Sequence, residues 1–317
     1  MSLGAAGHGP GRPEMIETWR DLHAEAAAAT SEAEARWLVE EVSGLDRSRW
    51  SEPAGDDAAA RLRALVQRRA AGAPLQYLLG RWSFRGLDLI VDSRVLIPRP
   101  ESEVVAGLAI DEARRAVGGG PCTVADLGTG SGAIALAVAD EVPEAVVWAT
   151  DSSPAALEVA RTNLAALRAA AASRVHLAEG MWYEALPGTL RGRLSVIVSN
   201  PPYVTEAEYA ALAPEVREYE PVGALVAGPT GRECLEQLVA GGLDWLEPGG
   251  ALVLELAPNQ AVPMRAAAEA AGYDAVAVHR DLTGRDRVLV ARRPFGGSRR
   301  PCRGDTPHAP RAGSTGP

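Results

Sequence analysis

The sequence predicts an α/β fold: a seven-stranded sheet with helices on both faces and an antiparallel last strand, joined through a β-hairpin to a small N-terminal helical domain. Three observations predict it. From Pro121 onward, short apolar β-prone runs alternate with helical stretches, the pattern of a largely parallel sheet covered on both sides. The last two runs are separated only by 280–286, too little chain for a parallel crossover, so the final strand runs back against its neighbours. Ahead of Gly72, by contrast, only helical periodicity is present.

In chain order, 1–13 is Gly/Pro-rich and expected to be disordered. The 14–73 domain reads as helices over 14–29, 31–43 and 57–71. Ser31 and Glu34 have capping-box spacing ahead of the second helix, which sets Trp37, Leu38 and Val42 on one face; Leu62, Leu65 and Val66 repeat likewise in the third. Such a bundle serves either substrate recognition or packing, and the residues alone do not choose. The linker 74–99 holds a hairpin, 81–84 with 87–91, turning at Arg85-Gly86. Leu96-Ile97-Pro98-Arg99-Pro100-Glu101-Ser102-Glu103 opens the 100–293 domain. Pro100 and the acids suit the N-terminus of a helix over 104–117, which leaves Arg99 unexplained. Strands are expected at 123–127, 146–150, 175–178, 194–198, 251–256, 275–279 and 287–291, with helices at 133–140, 154–171, 233–246 and 260–271. The tail 294–317 is Gly/Pro/Arg-rich and expected to be disordered.

Composition narrows the function. With 317 residues, 47% hydrophobic and 23% charged, the chain has the make-up of an ordinary soluble globular protein with ample core. It has no apolar run of about 18 residues and no secretory signal pattern. Cys122, Cys234 and Cys302 are far apart and the histidines scattered, so neither a disulfide framework nor a metal site is expected, in keeping with a reducing cytoplasm. A net charge of −9 argues against a protein that wraps nucleic acid. Every basic side chain is arginine, which reads as compositional bias and carries no function.

Two stretches carry chemistry. Asp126-Leu127-Gly128-Thr129-Gly130-Ser131-Gly132 follows the first sheet strand and opens a helix, and Asp151 follows the second strand, placed for a ribose diol. Gly128, Gly130 and Ala133 satisfy a relaxed dinucleotide fingerprint. However, a carboxylate at Asp126 repels a pyrophosphate and suits a cationic or amine-bearing ligand. The second stretch, Asn200-Pro201-Pro202-Tyr203, ends the fourth strand in a stiff loop. The Asn200 side-chain carbonyl, the Pro201 carbonyl and the Tyr203 ring would clamp a planar NH2 group, one acceptor per N–H. Taken alone, Asn200-Pro201-Pro202 is equally a plain turn.

Taken together, these residues resemble the class I methyltransferases, and more closely the HemK/PrmC family of protein-(glutamine N5) methyltransferases that modify peptide-chain release factors. The resemblance runs from about Gly72 to Arg293. Its blocks are Pro74-Leu75-Gln76-Tyr77-Leu78-Leu79-Gly80, the Leu96 to Glu101 segment, the glycine loop, Asn200-Pro201-Pro202-Tyr203-Val204, 215–221 and Gly284-Arg285-Asp286-Arg287-Val288. It implies a class I fold and S-adenosylmethionine, which has a sulfonium, an α-amine and a ribose but no phosphate. Asp126, Gly128, Thr129, Gly130 and Gly132 would hold the methionine end, Asp151 the ribose, and Trp182 would stack on adenine. Asn200 and Pro201, with Pro202 and Tyr203, would hold the glutamine amide of a Gly-Gly-Gln loop. Four departures stand out: Met181 where relatives carry an acid, Ser102 for the more usual threonine, Leu256-Ala257 without a following glycine, and Gly228-Pro229-Thr230-Gly231. A ribosomal-protein branch shares the clamp, although Pro98-Arg99-Pro100-Glu101 favours the release-factor branch. An adenine-N6 or guanine-N2 methyltransferase would use the same clamp but wants a basic cleft. A non-catalytic binding module would not need the intact loop, Asp151 and Asn200.

Overall fold

The computed structural model describes residues 17–295; the expectations for 1–13, for Cys302 and for the tail beyond 295 lie outside them. Three helices, α1 (Trp19–Ala29), α2 (Glu32–Ser43) and α3 (Asp56–Ala70), enclose a core of their own around Trp19, Leu22, Leu38, Trp50 and Leu62. The start expected at 14 lies outside the described residues; α1 begins at Trp19, where Thr18 and Asp21 close a reciprocal capping box. At the second, Ser31 accepts from the Glu34 N–H at 3.3 Å, and the Glu34 carboxylate accepts from the Ser31 hydroxyl (3.0 Å) and from Arg69 (2.8 Å).

A five-residue helix that periodicity could not show, α4 (Leu75–Leu79), precedes the hairpin of β1 (Arg81–Phe84) and β2 (Leu87–Ile90). Arg85 and Gly86 both have positive φ, 47° and 80°, as a tight two-residue hairpin requires. Then follow α5 (Pro100–Val117), β3 (Cys122–Leu127), α6 (Ala133–Glu141), β4 (Ala145–Asp151), α7 (Pro154–Ala166), α8 (Ala169–Ala172), β5 (Val175–Glu179) and β6 (Leu194–Ser199). A strap built of β7 (Val204–Thr205), α9 (Glu206–Tyr209), α10 (Pro214–Arg217) and β8 (Val226–Gly228) leads to α11 (Glu233–Trp245), β9 (Leu246–Glu255), α12 (Ala261–Ala271), β10 (Asp274–Arg280) and β11 (Asp286–Arg292).

The sheet order is β10-β11-β9-β6-β3-β4-β5, with β11 antiparallel to both neighbours and the other pairings parallel. All seven expected strands are present. Three boundaries differ by more than two residues, the first being α5, which starts at Pro100 rather than 104. The helix expected over 154–171 breaks at Leu167, which is extended (φ −71°, ψ 154°) and packs on the core, before the chain turns helical again in α8. Strand β9 starts at Leu246, ahead of Gly249-Gly250.

Strand alternation divides the core. Val124, Val196, Val198 and Val253 pack under α5 and α6, while Ala125, Leu127, Ile197, Leu252 and Leu254 pack under α11 and α12. Each fully buried large aliphatic contributes about 1.5–3 kcal/mol, so a slip of one residue, which would exchange the two faces, is strongly disfavoured. From β3 the order runs to β4 and β5 on one side and to β6 and β9 on the other. A crevice at the carboxyl ends of the strands follows from that reversal.

Candidate active site

That crevice is a cavity of about 570 Å³, the size of a small-molecule site. Its floor is the loop after β3. The N–H groups of Gly128 and Thr129 both donate to the Thr150 carbonyl at 2.8 Å, and Gly130 N–H donates to Asp151 Oδ2 at 2.8 Å, so the loop is clamped to the end of β4. At Gly128 (φ +78°) a Cβ would sit 3.3 Å from the Trp182 ring; loop and ring are closely apposed. Gly128, Thr129 and Gly130 line the cavity, whereas Gly132 faces Leu136 and serves helix packing instead. Asn163, buried on α7, donates to the Ser131 carbonyl (2.9 Å) and exchanges hydrogen bonds with both backbone groups of Ile90. It thereby fastens the hairpin to the loop.

Two carboxylates face the cavity. Asp126 is 1% exposed; its Oδ2 accepts from the Thr129 hydroxyl (2.6 Å) and Ala135 N–H (3.1 Å), whereas Oδ1 is buried without a partner among the described residues. Burial pushes its carboxyl up to about 7, opposed by those two hydrogen bonds and reinforced by Asp151. Asp151 is also raised by burial, against the N–H groups of Ser153 and Gly130. An orphaned acceptor beside a second acid is suited to an ammonium group, which would supply the missing donor and stabilise the charge. These features fit the α-amine of S-adenosylmethionine.

One wall is Gly180-Met181-Trp182. Trp182 has φ +46°, a strained conformation for a bulky residue, and its indole N–H is held by Gln237 Oε1 at 3.0 Å. Met181 is 49% exposed at the rim. The opposite wall carries Asn200 and Pro202, with Pro201 buried and Tyr203 standing behind. Asn200 Nδ2 donates to Ser102 Oγ (3.1 Å), which donates to Glu255 Oε2 (2.7 Å); the Tyr203 hydroxyl donates to Glu255 Oε1 (3.2 Å). Among the described residues, neither Asn200 Oδ1 nor the Pro201 carbonyl receives a protein donor.

Several participants were not legible in the sequence. Glu255 falls inside the strand expected over 251–256, where nothing singles it out, and it ends β9 in the structure. Pro221, Gly223, Ala224 and Val226 of the strap form the lip of the cavity, in a region with no periodic pattern. Arg99 is explained by Glu220: its guanidinium pairs with that buried carboxylate, which also accepts from the Ile97 N–H at 3.4 Å.

Comparison with known proteins matches this architecture. The family described as Methyltransferase small domain matches residues 120–216, and PrmC N-terminal domain matches 14–80. A release factor glutamine methyltransferase of Gloeobacter violaceus is 43% identical over 81% of this chain and 89% of its own length. Proteins of the same name from Deinococcus radiodurans and Geobacter sulfurreducens are 43% and 38% identical, over 86% and 88% of this chain and 94% and 95% of their own. Among solved structures, the hMettl16 catalytic domain, in complex with an RNA hairpin of MAT2A, shares the fold with a TM-score of 0.51 and 14% identity, over 76% of this chain and 83% of its own. With the fold, the cavity and relatives above 30% identity over most of its length, the chain belongs to the HemK/PrmC family of release factor glutamine methyltransferases, within the class I methyltransferases.

Proposed function

We propose that this protein transfers a methyl group to the side-chain amide nitrogen (N5) of the glutamine in the Gly-Gly-Gln motif of peptide-chain release factors. One observation carries the reading. Asn200 Oδ1 and the Pro201 carbonyl are two acceptors left without a donor among the described residues at the end of β6, beside a cavity suited to an amine-bearing cofactor. A primary amide has two N–H donors to match them. The names of the relatives support the substrate.

S-adenosylmethionine, the methyl donor of this class, supplies an electrophilic methyl group on a sulfonium when bound. On our reading, Asp126 Oδ1 and the loop of Gly128, Thr129 and Gly130 hold its methionine end, Asp151 accepts from the ribose, and Trp182 packs on adenine. An amide nitrogen is a poor nucleophile because its lone pair is delocalised. Asn200 and Pro201 draw on both N–H bonds and fix the nitrogen, while Pro202 and Tyr203 keep the loop rigid. Positioning of this kind supplies about 7–11 kcal/mol in well-oriented reactions. The N-terminal helices, 14–73 in our division of the chain, serve as the substrate-recognition domain. A release-factor substrate places the work in translation termination and in the cytoplasm, without direct contact to nucleic acid. Among the described residues no helix is long and apolar enough to cross a membrane.

The test is methyl transfer from labelled S-adenosylmethionine to purified release factor, ribosomal protein and duplex DNA in parallel, with mass spectrometry to locate the label. The expected product is methylated Gly-Gly-Gln glutamine. Asn200→Ala should lower kcat by about 10²–10³-fold, the cost of removing one aligned transition-state contact, with cofactor affinity little changed. Label on ribosomal protein or DNA alone would refute the substrate.

A further inference from the structure

Asn200 must present oxygen rather than NH2 for the clamp to work, and the two ends of its amide have nearly the same shape. An asparagine with no fixed partner would populate both orientations. The wrong one sets an N–H against the N–H of the substrate amide. The chain of hydrogen bonds behind Asn200 resolves this ambiguity. Ser102, in the first turn of α5, is 4% exposed; Glu255, at the end of β9, is 1% exposed. A hydroxyl has a single proton, and Ser102 gives its proton to Glu255 Oε2 at 2.7 Å. It can therefore only accept from the side of Asn200, and what reaches it, at 3.1 Å, is the NH2 group. The amide carbonyl is left turned away from Ser102, free of donors among the described residues. The other oxygen of Glu255 accepts the Tyr203 hydroxyl, so one carboxylate fixes both side chains that the clamp uses, Asn200 through Ser102 and Tyr203 directly.

We propose that Ser102 and Glu255 are positioning residues for the methyl transfer: the ionised Glu255 orients the Ser102 proton, which locks the Asn200 amide with its carbonyl available to the substrate, and it anchors the Tyr203 ring. This rests on the reading of Asn200 as the acceptor for the substrate amide. It makes the orientation depend on protonation. A protonated Glu255 can donate to Ser102, which frees the Ser102 proton to attract Asn200 Oδ1 and reverse the amide. Burial is the main influence on this carboxyl and raises it above the usual glutamate range. The groups facing it are Ser102 and Glu101 of α5, Tyr203 after β6 and Arg287 of β11; only Glu101 adds to the rise. Arg287 is itself fixed by Asp281 (3.5 Å) and the Leu256 carbonyl (3.3 Å), so its charge stays nearby.

The experiment compares wild type, Ser102→Ala, Ser102→Thr and Glu255→Gln in release-factor methylation at saturating cofactor across pH. Cofactor affinity by calorimetry and melting temperature serve as controls for an intact fold. Ser102→Ala should lose about tenfold or more in kcat with cofactor affinity unchanged, and Ser102→Thr, which keeps the hydroxyl, should stay within about threefold of wild type. Wild-type kcat should fall on an acid limb above the ordinary glutamate range, and Glu255→Gln should be slow and lack that limb. Wild-type kcat in Ser102→Ala, equal damage in Ser102→Thr, or an unaltered acid limb in Glu255→Gln would overturn the proposal. Should Glu255→Gln not fold, the two Ser102 variants decide alone. An inactive wild type would instead refute the substrate reading, so the two failures are distinguishable.

Discussion

Asp126, which we propose holds the cofactor's amine, shows how a binding residue can oppose stability. Its carboxyl is buried with one oxygen unpartnered, and its pKa is pushed up to about 7 from an ordinary 3.8. A group raised in the folded state favours folding in its protonated form. That contribution is complete below about pH 4 and is lost as pH rises through about 7, where it amounts to a few kcal/mol. Asp126→Asn removes the charge while keeping an acceptor for Thr129 and Ala135. The ligand-free variant should therefore melt higher than wild type above pH 7 and similarly near pH 4. Cofactor affinity should fall at least tenfold at neutral pH, since a charge-assisted hydrogen bond is lost. Calorimetry and thermal melts at both pH values check this, and equal melting at pH 8 would contradict it. In the wild type, cofactor affinity should weaken as pH falls below about 7, because a neutral Asp126 no longer attracts an ammonium group.

At the scale of elements, the Leu96 to Glu103 segment is held by a pair no local pattern announces. Arg99 and Glu220 are 121 residues apart, and the carboxylate side chain is 1% exposed against 33% for the guanidinium. Burial raises the Glu220 carboxyl, and Arg99 is the first influence that lowers it. Arg99→Met leaves that acid buried and uncompensated, which should cost roughly 3–5 kcal/mol. Adding Glu220→Gln should recover much of the loss, because the orphaned charge is then gone. Denaturant unfolding of the singles and the double checks this; additive losses would mean the pair is not coupled. The contrast with the strands is instructive. Val196, Ile197 and Val198 declare a buried strand because burial acts on neighbouring residues. Glu255 and Asn163 act on partners distant in sequence, and nothing beside them in the chain reveals the role. That Asn200, Asp126 and Asp151 line one cavity was legible because each lies at or beside the end of a strand, next to a loop whose composition folding does not require.

Over the whole molecule, the strap between β6 and α11 joins the cavity to the N-terminal helices. Its lip residues, Pro221, Gly223 and Ala224, border the cavity, while Tyr219 packs into the core formed by α1, α2 and α3. Glu215 adds a salt bridge at 3.2 Å to Arg69 of α3, which also holds Glu34. Trp37 of α2 meets Trp82 of β1 edge-on at 5.9 Å, so the hairpin provides a second connection. The two links of the strap should differ in weight. Glu215 is half exposed, and surface pairs of this kind contribute about 0–1 kcal/mol. Tyr219 buries aromatic surface, and its loss should cost roughly 2–4 kcal/mol, somewhat below the range for a fully buried aromatic. Tyr219→Ala should therefore lower stability and also weaken cofactor binding several-fold, since the lip loses its support on the helical core. Glu215→Ala should do neither. Melting temperature and cofactor titration on both variants decide the matter. Unchanged cofactor affinity in a folded Tyr219→Ala protein would mean that the lip is rigid without the helices, and that the N-terminal core bears on the protein substrate alone.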